Sequence, residues 1–504
     1  MIKVEIIENE YWWGGSVNNA HEMPYSRQNG GLFDLNGGRE CDQFAPLMLS
    51  SKGRYIWSEK CFKAEIEGGV ITLTGDGEFE LKDGYENLRG AYLAAMKAHF
   101  PFTGKLPDRL FWEAPQYNTW IELGTNQTTE SILKYADGIL KNGLPPGVLM
   151  IDGGWQEDYG IFEFHKGKIP DPKYLISELH KLWFKVMLWV SPIVASAGPN
   201  YKMLRDKGYL IKSSDGEIAV RKWWSGFSAI LDFTNPDAAA WYHAQLKSLM
   251  DRYGVDGFKF DAGDRYFYED DDIIYKPTPA REQTAVFNEV GEKYKFNEFR
   301  AAWKFGGREI VARLHDKYHT WDDFGLNTLI PHTVTQGLCG YAYCCPDMVG
   351  GGILDCFNEG QTLDEELFVR WAQANAFMGM MQMSVAPWRV LKAENAELVK
   401  AALKLHSEYS ERFYTLAANA SKTGEPIVRH MAYVFPDEGF ETENTQFMLG
   451  DEILVAPVLE KGAEERTIRL PNGRWREGGG NIIDGGRSIT VKVGISDIPH
   501  FFRI

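Results

Sequence analysis

The sequence predicts an α/β protein: a (β/α)8 barrel flanked by an N-terminal antiparallel β domain and a C-terminal β domain. Three observations predict it. Residues 1–103 are short alternating runs separated by turn signals. From 104 onward, short apolar strands alternate with helical patterns, as in a parallel sheet built from βαβ units. Past about 420 the alternating β texture returns. The expected domains are therefore 1–103, 104–420 and 421–504.

In the first region the runs are 53–57, 70–74 and 78–81, the last two joined by a Gly75-Asp76-Gly77 turn. The barrel opens with an expected strand over 111–120. A helix follows with Ile132, Leu133, Ala136, Ile139 and Leu140 on one face. Strand two is 147–152. Leu175, Leu179 and Leu182 mark the next helix, and strand three, 185–190, is almost wholly apolar, as a strand buried on both faces requires. Asn235 caps a helix that Pro236 opens and Gly254 ends. Strand four, 255–261, follows at once. Further strands are expected at 309–314, 340–345 and 378–385. Seven are visible and an eighth is expected, which favours a closed barrel over an open doubly wound sheet. Neither a GxGxxG after the first strand nor a P-loop occurs, against a nucleotide-binding sheet. At the C-terminus the β runs are 451–459, 467–470 with an Asn472-Gly473 turn, and 488–493.

Composition excludes several classes. With 54 Lys+Arg against 70 Asp+Glu, the 504-residue chain carries −16 at pH 7 and has no basic run, so nucleic acid is not an expected partner. The opening residues lack a signal pattern and no stretch approaches the ~18 apolar residues of a membrane span. A cytoplasmic protein without membrane attachment is expected. Cys41, Cys61, Cys339, Cys344, Cys345 and Cys356 form no CxxC pairs, against zinc or a disulfide framework. The eleven His show no ligand spacing, so neither metal nor cofactor is expected. Aromatics reach 13%, with 16 Trp, which suits a sugar-binding cleft as well as a core.

Reacting groups in such a barrel gather at the C-terminal strand ends. Those ends offer Asp152 with Trp155, Trp189, Asp261 with Asp264, Arg313 with Asp316, and Asp347. Paired carboxylates suit glycoside hydrolysis, and no serine, cysteine or HExxH signature competes. Any one of these Asp alone is as well explained as a cap or ion-pair partner.

At Lys259-Phe260-Asp261-Ala262-Gly263-Asp264 the chain resembles glycoside hydrolase family 31, whose nucleophilic Asp closes the fourth strand. The resemblance extends to Asp316, five residues before Trp321, to 347–351 (DMVGG), to 424–429 (GEPIVR) and to 454–458 (LVAPV). Within the family, 114–120 (APQYNTW), 151–155 (IDGGW) and 344–347 (CCPD) look most like the α-galactosidase branch. Asp264 stands where the family has Glu, His315 where it has Gly, and two extra residues follow Trp321.

The resemblance implies a retaining, exo-acting α-galactosidase acting on an oligosaccharide or other α-galactoside. Asp261 would be the nucleophile. Asp316 would be the acid/base, with its proton affinity raised by Trp321 and its like-charged partner, and with Asp322 and Asp323 as rivals. Asp152 and Asp347 would accept sugar hydroxyls and Lys259 and Arg313 donate to them, unless the four form only a buried ion-pair network. Trp189, Trp224 and Trp388 would stack on the sugar, and Cys345 and Trp155 would shape the pocket near the axial O4 of galactose. Trp12-Trp13 would reach the pocket or anchor the N-terminal domain. An α-glucosidase, an α-N-acetylgalactosaminidase, a transglycosylase or an inactive carbohydrate-binding barrel remain alternatives, and a homo-oligomer is compatible with all.

Overall fold

The computed structural model describes residues 1–37, 42–358 and 360–504. Cys41 lies outside the described residues, and the other five cysteines are free thiols. Among the described residues no helix is long and apolar enough to cross a membrane.

Eight parallel strands form the central barrel. We number them β1 (Gln116–Asn118), β2 (Val148–Ile151), β3 (Lys185–Val190), β4 (Gly257–Phe260), β5 (Phe296–Phe299), β6 (Ala312–Arg313), β7 (Cys344–Cys345) and β8 (Gln382–Met383). They neighbour one another in the order β7-β6-β5-β4-β3-β2-β1-β8. A parallel bridge between Met348 and Gln382 brings the two ends together. β3 ends where its apolar run does, at Val190, and all but its first residue, Lys185, are buried. The helices between strands are set by their caps: Thr128 accepts from Ser131 N at the start of Thr129–Lys141, Asp171 precedes Pro172–Lys181, and Asn235 and left-handed Gly254 bracket Pro236–Tyr253.

Some expectations need correction. Only 116–118 of the expected first strand is extended, because Leu110–Glu113 is a helical turn. The run expected as strand five is β6; the true fifth strand, Phe296–Phe299, was the missing eighth. Val70–Thr74 and Phe79–Lys82 do not form a hairpin, because they join different sheets and the Gly-Asp-Gly turn passes the chain between them. Likewise Glu465–Leu470 pairs with Arg487–Lys492 rather than across the Asn472-Gly473 turn. Residues 1–103 also include a helix, Leu88–His99.

The N-terminal sheets are joined firmly to the barrel. Ala302–Trp303, just past β5, adds as a parallel strand to Gln43–Ser50. Trp12 and Trp13 are fully buried, Trp13 against His430, so this pair anchors the N-terminal domain. Arg89 and Arg429 both bind Glu425 and Asp451, tying the N-terminal helix to the segment that leaves the barrel.

β4 and β5 approach so closely that a Cβ on Gly257 would lie 2.0 Å from the Phe296 carbonyl oxygen. Backbone cannot yield there as a flexible side chain would. Gly257→Ala is therefore expected to destabilise by about 3 kcal/mol, read as a lowered thermal midpoint; an unchanged midpoint would refute this close packing.

Candidate active site

The turn after β4 carries Asp261. Ala262 follows with φ +58°, an uncommon conformation for a residue with a side chain. It turns the Ala262 N–H back onto Asp261 Oδ1 at 2.8 Å. Gly263 is required next, because a Cβ there would meet the Phe287 ring at 2.2 Å. Arg300, just beyond β5, donates from both Nε and Nη2 to Asp261 Oδ1 at 2.8 Å. It also holds Asp264 through two bonds of 2.8 Å. Trp189 Nε1, at the end of β3, donates to Asp261 Oδ2 at 3.0 Å. Burial would push the Asp261 carboxyl up, but the Arg300, Lys259 and Arg313 cations override it and hold the group well below the usual carboxylate range.

A second arm lies across the barrel mouth. Lys259 Nζ donates to Asp152 Oδ2 at 2.7 Å. Arg313 Nη1 donates to Asp316 Oδ1 at 2.8 Å and to Asp347 Oδ1 at 2.9 Å. Its Nε faces Glu298 Oε1 at 3.4 Å. Asp347 sits at φ +62° and accepts the Lys317 N–H at 2.8 Å. Six carboxylates thus converge on Lys259, Arg300 and Arg313, more than three cations can neutralise. Burial pushes up Asp264, Glu298 and Asp347, the last to about 7 with Asp316 adding to it. Asp261, by contrast, is held down by its cations and stays ionised.

The fold therefore brings Asp152, Trp189, Lys259, Asp261, Arg313, Asp316 and Asp347 to one rim. Arg313 binds Asp316, and its charge also helps to hold the Asp261 carboxyl down. The expected ion-pair network exists, and it is buried. Cys345 is buried near Gln382, and burial pushes its thiol far up, leaving a neutral thiol in the barrel interior. Trp155 is buried too, its indole N–H donating to the Trp189 carbonyl at 2.8 Å. It supports Trp189 from a fully buried position.

Trp388 is a correction. It belongs to a helical turn after β8 and packs outward, against Tyr135 and Gly138 of Thr129–Lys141. Trp321 also departs from expectation: it donates to Asp364, while the partner of Asp316 is the cation Arg313. Both rivals on this loop, Asp322 and Asp323, are exposed, and Asp322 accepts from Thr320 and Phe324 and caps its own turn.

Sequence reasoning missed Arg300, Glu298 and Gln382, which donates to Glu298 at 2.7 Å. The available signal was the Phe-x-x-Phe run ending just before Arg300. It also missed that Asp42 accepts both the backbone and ring N–H of His315, at 2.6 Å each, pinning the loop that carries Asp316. Asp42, His315 and His332 offer ligand atoms within 4.8 Å of one another. Lys317 Nζ sits 2.9 Å from His332 Nδ1.

Comparison with known proteins agrees with this geometry. The profile of the glycosyl hydrolases family 31 TIM-barrel domain matches residues 116–416, and that of the family 31 C-terminal domain matches 424–504. The chain is 32% identical over 402 residues to the myogenesis-regulating glycosidase of Mus musculus, covering 77% of this chain and 56% of that protein. It is 30% identical over 500 residues to alpha-xylosidase XylQ of Lactiplantibacillus pentosus, covering 93% and 62%. It thus spans less than two thirds of either relative. A Flavobacterium johnsoniae family 31 dextranase, solved with glucose, superposes with a TM-score of 0.87 at 20% identity over 99% of this chain and 66% of that one. With both of its domain profiles matched in order, the chain belongs to glycosyl hydrolase family 31.

Proposed function

We propose that the chain is a retaining, exo-acting α-glycosidase that releases terminal α-galactose without a cofactor. The observation that carries this reading is Asp261, a carboxylate kept ionised at the barrel mouth by Arg300. Its Oδ1 accepts from Arg300 and Ala262, whereas Oδ2 accepts from Trp189. Oδ2 is thus the oxygen with lone pairs to spare. It attacks the anomeric carbon as the bond to the leaving oxygen breaks, giving a β-linked glycosyl-enzyme. Asp316 protonates the departing oxygen and then accepts a proton from the water that hydrolyses the intermediate. Asp152 and Asp347 accept sugar hydroxyls, and Lys259 and Arg313 donate to them.

Asp323 is a second reading for the proton donor. Arg313 occupies one carboxylate oxygen of Asp316, while Asp323 stands exposed on the same loop. Azide separates them. Loss of the acid/base is expected to slow turnover about 10²- to 10⁴-fold and to let azide rescue an activated substrate as the α-glycosyl azide. Asp316→Ala is expected to show this; the same behaviour in Asp323→Ala alone would transfer the role.

The galactose assignment rests on 114–120, 151–155 and 344–347. The match to an α-xylosidase over 93% of the chain favours xylose as the second reading. Release of p-nitrophenol from α-galactoside, α-glucoside, α-xyloside and α-N-acetylgalactosaminide decides. The galactoside is expected to react fastest, and xyloside cleavage with the galactoside untouched would overturn the assignment.

A further inference from the structure

Between β3 and β4 the chain forms a hairpin in which Val220–Trp223 pairs with Gly226–Ile230. Trp223 is opposite Gly226, so Trp224 and Ser225 make the two-residue tip. The tip is fastened to the barrel rim. Trp223 is buried edge-on to Tyr159, with ring centroids 4.5 Å apart, and donates to Ser228 Oγ at 3.1 Å. Tyr159 Oη and Ser225 Oγ are 3.1 Å apart. Tyr266, in the loop after β4, donates to the Lys222 carbonyl at 2.6 Å. Hydrogen bonds from two neighbouring loops therefore hold the turn in place.

Trp224 is nonetheless 57% exposed. Its covered side meets Trp223 at 5.0 Å, Phe267 at 6.1 Å and the Arg300 guanidinium, whose carbon is 5.8 Å from the indole centroid. Arg300 is the group that binds Asp261 Oδ1. One guanidinium thus separates the exposed indole from the nucleophile, and the indole is on the solvent side. The groups that would hold the reacting sugar are far more enclosed, with Asp152 5%, Lys259 4% and Trp189 3% exposed. A sugar seated among them would carry its substituent toward the open side of the rim, where Trp224 is exposed.

We propose that Trp224 is the platform for the leaving group, stacking on a ring-shaped aglycone, either the C–H face of a pyranose or an aryl ring. The proposal rests on the glycosidase reading and adds the residue that selects what is attached to the released sugar. Stacking on a fixed, half-exposed indole favours flat or C–H-faced rings over flexible alkyl chains. It acts on binding of the aglycone, and the hydrogen bonds of Arg300 to Asp261 and Asp264 do not involve it.

The test compares two substrates with the same sugar, a p-nitrophenyl α-glycoside and the α-glycosyl fluoride, whose leaving group is a single atom. Trp224→Ala is expected to lower kcat/KM for the nitrophenyl glycoside about 10- to 100-fold, chiefly through KM. It is expected to leave the fluoride within about twofold, which also shows that the variant is folded. Trp224→Phe is expected to recover most of the loss, and Phe227→Ala, on the same hairpin, to change neither substrate. Equal losses on both substrates, no loss on either, or the same loss in Phe227→Ala would overturn the proposal. If the wild-type protein turns over no α-glycosyl fluoride or nitrophenyl glycoside of any sugar, the glycosidase reading itself falls, and the platform with it.

Discussion

Replacing Asp261 with Ala is expected to lower kcat/KM by about 10⁴- to 10⁶-fold while leaving the protein folded. The size follows from the role: without a carboxylate to form the covalent intermediate, double displacement has no first step. The fold survives because Arg300 keeps its two bonds to Asp264. Azide added to the variant would occupy the vacated space and attack the same face of the sugar. The expected product from an activated substrate is therefore the β-glycosyl azide, opposite in configuration to the azide expected when the acid/base is removed. Near-wild-type turnover by this variant would contradict the assignment, and so would azide rescue with retention.

Arg300→Met is expected to be the next most damaging change, because one side chain serves two buried carboxylates. Removing it leaves Asp261 and Asp264 facing each other without the shared cation, and breaking a buried ion pair in this way costs about 3–5 kcal/mol. Activity is expected to fall about 10²- to 10³-fold. The pH profile gives the more specific signature. Arg300 is the largest influence pulling the Asp261 carboxyl down against burial. Without it the carboxyl titrates at higher pH, so the nucleophile is protonated over a wider acidic range. The acidic limb of kcat/KM against pH is expected to move to higher pH. A uniform loss with the limb unmoved would mean that Arg300 acts on structure alone.

How much of this was legible in the sequence depended on where the polar residues point. Lys185–Val190 could be read to the residue because both faces of β3 are covered by apolar neighbours. Pro236–Tyr253 could be read because caps at both ends are local chemistry. β5 was hidden: its sequence is Phe-Asn-Glu-Phe, and Glu298 points to Arg313 and Gln382 inside the barrel, breaking the apolar run. Losing that strand hid Arg300, the partner of Asp261. β6, β7 and β8 keep only two residues each in the ladder, too short for periodicity to place. Trp388 was misplaced for a related reason: its position just past a strand end suggested the rim, but a helical turn begins at Pro387 and carries it outward. The clasp of Asp42 on His315 joins residues 273 apart and has no local signature.

The most direct test of the account is covalent trapping. The protein is incubated with 5-fluoro-α-glycosyl fluorides of galactose, glucose and xylose, which form the glycosyl-enzyme quickly and release it slowly, and the digest is read by mass spectrometry. The account predicts a single glycosylated peptide containing 259–264, with the sugar on Asp261, and none in Asp261→Ala. Label on Asp152, Asp316, Asp323 or Asp347 in its place would contradict it, as would turnover of these reagents with no covalent species at all.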